Sequence, residues 1–215
     1  MENFSVLFYN LFMKRILVLL IVILLSQNVS FAKKAEKTPF IQNEQYINTT
    51  NQANIFYAEN DIKSAFNLFL SIPEEQRTAQ NWLLLGNILQ DQGKNQEAEF
   101  MYNKAIEVDE NFFKAYYNLG NIYLNDGKPN MAIEQYKKVI KLKPDFAYAH
   151  YNLGCAYIKL GKYSKAKYEL LTAIDLKNTV ADFHYNLAYV YKQLNKEKTA
   201  KIYIEYYNKL KENEI

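Results

Sequence analysis

Residues 116–136 read YYNLGNIYLNDGKPNMAIEQY, and residues 150–170 read HYNLGCAYIKLGKYSKAKYEL. The two stretches align without a gap: a flat ring, then Tyr-Asn-Leu-Gly, a tyrosine three residues after the glycine, a Gly-Lys pair and an alanine. Outward from this core, glycine or asparagine recurs at Asn60, Gly93, Gly127, Gly161 and Asn195, spacings of 33, 34, 34 and 34. A second series of small residues runs Gly86, Gly120, Gly154 and Ala188. A fixed period of this size means one supersecondary unit copied along the chain, each copy burying its apolar face on its neighbours.

Inside one unit the apolar residues recur at helical spacing: Trp82, Leu85 and Leu89, then a glycine, then Ala98, Met101, Tyr102, Ala105 and Val108. That pattern predicts two amphipathic helices per unit. The glycine or asparagine between them sits where the first helix must stop, in a left-handed conformation those two residue types accept. Pro129 follows Gly127 at the start of the next helix, where a missing N–H costs nothing, and Pro144 marks a boundary between units. The connections are short enough only for antiparallel neighbours.

These residues carry a resemblance. Trp82-x-x-Leu85-Gly86 with Ala98-x-x-x-Tyr102, and Tyr116-x-x-Leu119-Gly120-x-x-Tyr123 with Ala132-x-x-x-Tyr136 and Pro144, resemble the tetratricopeptide repeat. A third copy runs His150, Leu153, Gly154, Tyr157, Ala166 and Leu170; a fourth runs His184, Leu187, Ala188, Tyr191, Ala200 and Ile204. A degenerate copy precedes them, with Tyr57, Asn60, Ala65 and Phe69 in place and Gln52-Ala53 where the Leu-Gly pair would stand. The resemblance implies an all-α fold, a right-handed superhelical solenoid of about five antiparallel helix pairs, with repeats near 46–78, 79–112, 113–146, 147–180 and 181–215. Gly86, Gly120, Gly154 and Ala188 are expected to let the two helices of a unit approach closely, with Ala98, Ala132, Ala166 and Ala200 answering from the second helix. One second-helix slot reads Ile106, Ile140, Ile174 and then Asn208, the polar change that a last repeat needs where no follower covers it.

Members of that family are non-enzymatic scaffolds whose first helices line a concave groove holding a peptide or protein, and the resemblance implies the same here. Mapped onto this chain, the groove-facing positions are Leu83, Asn87, Gln90 and Asp91; Lys114, Tyr117, Asn121 and Asn125; Tyr148, Tyr151 and Lys159; Asp182, Tyr185, Tyr189 and Lys192. Tyrosine gives contact area at small entropic cost and the amides pair with peptide backbone, so the lining suits an extended, neutral, moderately apolar ligand. Leu83, Tyr148 and Asn152 stand where the family's carboxylate clamp would need basic residues. For Asn118, Asn152 and Asn186 the alternative is a role in helix packing.

The chain of 215 residues has a net charge of +3 and no block of five or more Lys/Arg, so the footprint of a nucleic-acid binder is missing. Lys14 and Arg15 precede an apolar run from Ile16 to Leu25, then polar Ser26, Gln27 and Asn28 and the small-residue pattern Ser30-Phe31-Ala32. That layout predicts a secretory signal peptide over 1–32 cleaved after Ala32, with Met13 a candidate start, and an exported protein, periplasmic or extracellular. The run is about half of the roughly 20 residues a spanning helix needs, so no stable membrane span is expected after cleavage. Residues 33–45 read as a charged linker.

Cys155 is the single cysteine, so no intramolecular disulfide is available. His150 and His184, the two histidines, occupy the slot of Trp82 and Tyr116 and are read as flat core residues. No H-E-x-x-H, Walker loop, C-x-x-C or G-x-S-x-G pattern occurs, and no catalytic residue, cofactor or metal is expected. The carboxylates read as solvated faces beside lysines, as in Glu134-Lys138 and Lys104 with Glu107. Two functional classes follow: an exported adaptor that binds a peptide segment in the Tyr/Asn groove, or a structural subunit that assembles through its ends or convex face. Ile202, Tyr203 and Tyr206 on the last helix offer a surface for self-association.

Overall fold

In the computed structural model, which describes residues 43–212, every regular element is helical. Ten α-helices follow one another: α1 (Glu44–Ala58), α2 (Ile62–Ser71), α3 (Ala79–Asp91), α4 (Asn95–Val108), α5 (Phe113–Asn125), α6 (Pro129–Leu142), α7 (Ala147–Lys159), α8 (Tyr163–Leu176), α9 (Ala181–Gln193) and α10 (Glu197–Glu212). Each odd-numbered helix packs on the even-numbered helix that follows it, and each even-numbered helix then packs on the first helix of the next hairpin, which gives a solenoid of five stacked hairpins. No described helix is long and apolar enough to cross a membrane. The apolar run at 16–25, Met13, the Ala32 site and nearly all of the 33–45 segment lie outside the described residues. The first helix begins at Glu44, capped by the Asn43 side chain, so helix reaches into the end of the segment read as linker.

The five hairpin turns follow the Gly/Asn series. Asn60, Gly93, Gly127, Gly161 and Asn195 have φ of 63°, 76°, 71°, 67° and 57°. At Gly127 the left-handed turn lets Lys128 N donate back to Tyr123 O at 2.8 Å, closing α5 before Pro129 opens α6. The junction between the first and second hairpins is built differently. Arg77 is buried; its guanidinium donates to Phe69 O at 3.2 Å and Leu70 O at 2.9 Å, satisfying the open end of α2, and stacks 4.6 Å over the Trp82 ring. Thr78 and Asn81 then form a reciprocal capping box at the start of α3.

The close approach is present in the three hairpins that carry Gly86, Gly120 and Gly154, but its main partner differs from the expectation. A Cβ at Gly86 would lie 2.4 Å from the Tyr102 ring, at Gly120 2.5 Å from the Tyr136 ring, and at Gly154 2.8 Å from Leu170 Cγ. The glycines therefore make room chiefly for the large residue four positions beyond Ala98, Ala132 and Ala166; of those buried alanines only Ala166 comes close, its backbone oxygen 3.4 Å from a Cβ at Gly154. The flat-ring slot also has a polar duty. Tyr116 Oη donates to Glu110 O at 3.1 Å, and the Nε2 atoms of His150 and His184 lie 3.0 Å and 2.9 Å from Pro144 O and Asn178 O, so each ring ties its helix to the loop six residues earlier. Among the described residues no three of His, Cys, Asp and Glu are grouped as metal ligands.

Two carboxylates depart from the solvated reading. Glu99 accepts from Tyr123 Oη at 2.6 Å, joining α4 to α5, and Glu169 faces His150 Nδ1 at 2.8 Å across α7 and α8. Lys104 and Glu107 pair at 3.0 Å on an open face, as their spacing suggests.

Candidate functional site

The first helices α3, α5, α7 and α9 carry the Tyr/Asn-rich face, and its amides are committed first to joining hairpins. Asn118 Nδ2 donates to Asn87 Oδ1 at 2.8 Å, and Asn152 Nδ2 donates to Asn121 Oδ1 at 2.8 Å and to Tyr117 Oη at 3.2 Å. Asn186 Nδ2 donates to Tyr151 Oη at 2.7 Å and meets Cys155 Sγ at 3.3 Å. Each asparagine thus reaches one hairpin back. Tyr136 Oη donates to Asn121 Oδ1 at 2.8 Å, so that single oxygen serves two donors from two helices. Tyr102 Oη lies 2.9 Å from Asn87 Oδ1 and 2.7 Å from Gln90 Oε1; with one proton to give, it donates to Asn87 and accepts from Gln90 once that carboxamide is turned to present its nitrogen.

Burial pushes the hydroxyls of Tyr102, Tyr136 and Tyr151 well above the ordinary tyrosine range and that of Tyr117 upward as well, so they remain neutral donors and acceptors. Burial likewise raises the Cys155 thiol to about 11, which leaves it protonated at neutral pH and without nucleophilic character. Where Tyr102 and Tyr136 are replaced by Leu170, the acceptors Asn87 and Asn121 are replaced by Cys155. The joint loses its hydroxyl and its amide together.

The remaining face resolves into two hollows and a line of rings. Gln80, Leu83, Leu84 and Asn87 of α3, with Phe113, Lys114, Tyr117 and Asn118 of α5 and Phe146, enclose a depression of about 370 Å³. Lys114 is exposed at its lip; Leu83, expected on the open wall, is only 4% exposed. From this depression the rings continue toward α9. Phe146 meets Phe113 at 5.4 Å and Tyr117 at 5.1 Å, both edge-on, Tyr148 meets Phe183 at 5.6 Å, and Tyr151 stacks on Phe183 at 4.5 Å. Lys177 reaches over Tyr148 and donates to its hydroxyl at 3.1 Å. At the far end Tyr185, Tyr189 and Lys192 are exposed and line a second hollow of about 460 Å³ with α10.

The residues mapped to the groove therefore divide. Asn87, Lys114 and Tyr117 share the first depression, and Tyr185, Tyr189 and Lys192 share the second. Gln90, Asn121, Tyr148 and Tyr151 line neither; Gln90 and Asn121 are held in the joints, and Tyr148 and Tyr151 in the ring line. Spacing alone missed Phe113, Phe146 and Phe183. Phe146 caps α7 and Phe113 opens α5, at hairpin entrances where helical periodicity carries no information.

Comparison with known proteins agrees with this architecture. No curated protein sequence matches the chain. Among solved structures, a MamA double mutant of RS-1 superimposes with a TM-score of 0.73 at 19% identity over 81% of this chain and 98% of that one. MamA from residue 41 to its end, from Desulfovibrio magneticus RS-1, gives 0.72 at 20% identity over 80% and 98%. Another MamA crystal structure gives 0.69 at 21% identity over 75% and 95%. Likeness at that identity establishes a shared fold. The family model described as TPR repeat matches residues 86–127, 120–161 and 154–195, and a second model, tetratricopeptide repeat, matches 181–214. With repeat models covering the chain from 86 to 214 and five glycine- or asparagine-closed hairpins in register, this protein belongs to the tetratricopeptide repeat family.

Proposed function

We propose that this chain is an exported scaffold that works by binding, without catalysis, and that it holds an extended segment of a partner protein along the face of its first helices. The reading is carried by the depression between α3 and α5, where apolar Leu83, Leu84, Phe113 and Phe146 lie beside Lys114, Gln80 and Asn118. An apolar floor with a few polar groups at its rim is the composition of a site that anchors one bulky side chain and orients the backbone beside it. The ring line from Phe146 to Phe183 extends the same surface toward α9 with rigid area. Export rests on the Lys14-Arg15 to Ala32 layout of the sequence.

Two measurements test it. Cell fractionation with N-terminal sequencing of the released chain should find it outside the cytoplasm, beginning near Lys33; an uncleaved cytoplasmic chain removes the export part. Affinity capture from the native envelope should recover a protein that is lost with Lys114→Glu and with Phe113→Ala while the variants' melting temperatures stay close to the parent's. Retention of the same partner by both variants would move binding to another face and favour the second reading, a structural subunit assembling through its ends. That reading is motivated by the exposed Ile202, Ile204 and Tyr206 of α10.

A further inference from the structure

The last hairpin differs from the others in what lies over it. In α4, α6 and α8 the slot held by Tyr102, Tyr136 and Leu170 is fully buried. In α10 the same slot is Ile204, 36% exposed, and beside it lies the hollow of about 460 Å³ between Tyr185, Tyr189 and Lys192 of α9 and Lys201, Ile204 and Glu205 of α10. This is the place where the first helix of a following repeat would sit.

The charges along α10 say what fits there. Glu197, Lys201, Glu205 and Lys209 follow at four-residue intervals with alternating sign, so they form one row along the helix. All four are exposed, and none pairs with another charge among the described residues. Such a row is complementary to its own reversal. Laid antiparallel on a second copy with the crossing at Tyr203, Glu197 meets Lys209 and Lys201 meets Glu205, each in both directions, with no like-charge pair. A parallel copy in register would set glutamate on glutamate. The α1 side of the stack offers no answer: α1 carries no Lys or Arg, and exposed Asn48 and Gln52 occupy slots that hold buried Phe183 and Leu187 in α9.

We propose that two copies of this chain join through α10 in a symmetric, antiparallel contact, with Ile204 and the hollow beside it supplying the apolar part and the alternating row fixing the register. The contact is isologous, so it closes at two subunits instead of propagating as a filament. It leaves the depression between α3 and α5 free and stands whether or not that depression holds a partner segment.

The test is a charge exchange read by sedimentation equilibrium on the protein recovered from cells. The parent should be a concentration-dependent dimer, weakened by added salt because the pairs lie at an accessible rim. Lys201→Glu sets two glutamate pairs across the axis and should weaken dimerisation roughly tenfold. Lys201→Glu combined with Glu205→Lys restores opposite signs and should return the parent affinity. The four positions are exposed, so helical circular dichroism should be the same in all three proteins. A parent that is monomeric at its highest soluble concentration overturns the proposal, including one that gains mass only with a different protein. So does a dimer that ignores the single reversal or that the double exchange fails to restore.

Discussion

The hairpins α5–α6 and α9–α10 share one spacing and nearly one set of slots, yet the same positions do different work. In the central hairpin Gly120 admits the fully buried Tyr136, whose hydroxyl reaches Asn121, and Asn121 also receives Asn152 from the next repeat. In the hairpin α9–α10 the matching residues are Ala188, Ile204 and Tyr189, and no described helix packs beyond them; Ile204 is 36% exposed and Tyr189 41%. A slot in a stack is defined by its neighbour as much as by its own residue. Asn118 and Asn152 each find an asparagine oxygen one hairpin back, whereas the corresponding face of α9–α10, with no described helix packed on it, carries exposed apolars and charges.

Substitutions in matched pairs should break or sharpen that contrast. The largest difference is expected for Gly120→Leu, which pushes a branched side chain into the Tyr136 ring and should cost about 3 kcal/mol in chemical denaturation. Ala188 is itself buried but lines the hollow beside the partly exposed Ile204, which has room to give way, so Ala188→Leu should cost less, about 1 kcal/mol. Equal losses would mean that the two contacts are alike. Next in size, Asn121→Ala strips the acceptor from the buried Tyr136 hydroxyl and leaves Asn152 with Tyr117 alone, an expected loss of about 2 kcal/mol. Tyr189→Ala should stay within about 0.5 kcal/mol. Smaller again, Gly127→Ala forces an alanine to φ 71° and should cost about 1 kcal/mol, whereas Asn195→Gly relaxes the corresponding turn at φ 57° and should be neutral within a few tenths.

The smallest effect is a drift with pH. His150 gives its Nε2 proton to Pro144 O, which can only accept, while Nδ1 stands 2.8 Å from the Glu169 carboxylate, so the doubly protonated ring satisfies both partners and a neutral ring one. The bond to Glu169 holds the imidazole above its usual 6.5, outweighing the opposing effect of burial. A raised folded-state value means that this stabilisation is fully present below pH 6.5 while Glu169 stays ionised, and is lost as pH rises through the raised value. Melting temperatures should therefore fall by about 2–4 °C across that range, and Glu169→Gln should flatten the slope. In the terminal hairpin the slot of Glu169 is Tyr203, stacked at 6.1 Å on His184.

How far the sequence carried this picture depends on how local each rule is. The five turns were legible because a left-handed φ selects glycine or asparagine at one residue, and all five fall on the repeat series. Asn208, the polar break in the slot of Ile106, Ile140 and Ile174, is exposed where those three are half-buried. The partner of the glycines was not legible, because helical periodicity names a face while the length of Tyr102 or Tyr136 decides which residue on that face arrives. The amide joints were only partly visible. Asn118, Asn152 and Asn186 fell on a regular slot, but whether an amide faces a ligand or the preceding repeat depends on the angle between hairpins. The pairing of Asn87 with Tyr102 and Asn121 with Tyr136, both lost together at Cys155 and Leu170, was a usable signal at fixed separation along the chain. Phe113 and Phe146 escaped because they sit where helices begin.

Partner binding on the first-helix face, as proposed, is tested directly in living cells by a photo-crosslinking residue that replaces Lys114 at the lip of the depression or, separately, the exposed Phe100 on α4. A discrete adduct with one protein from position 114, and none from position 100, is the predicted result. An adduct from position 100 with none from 114 would contradict it.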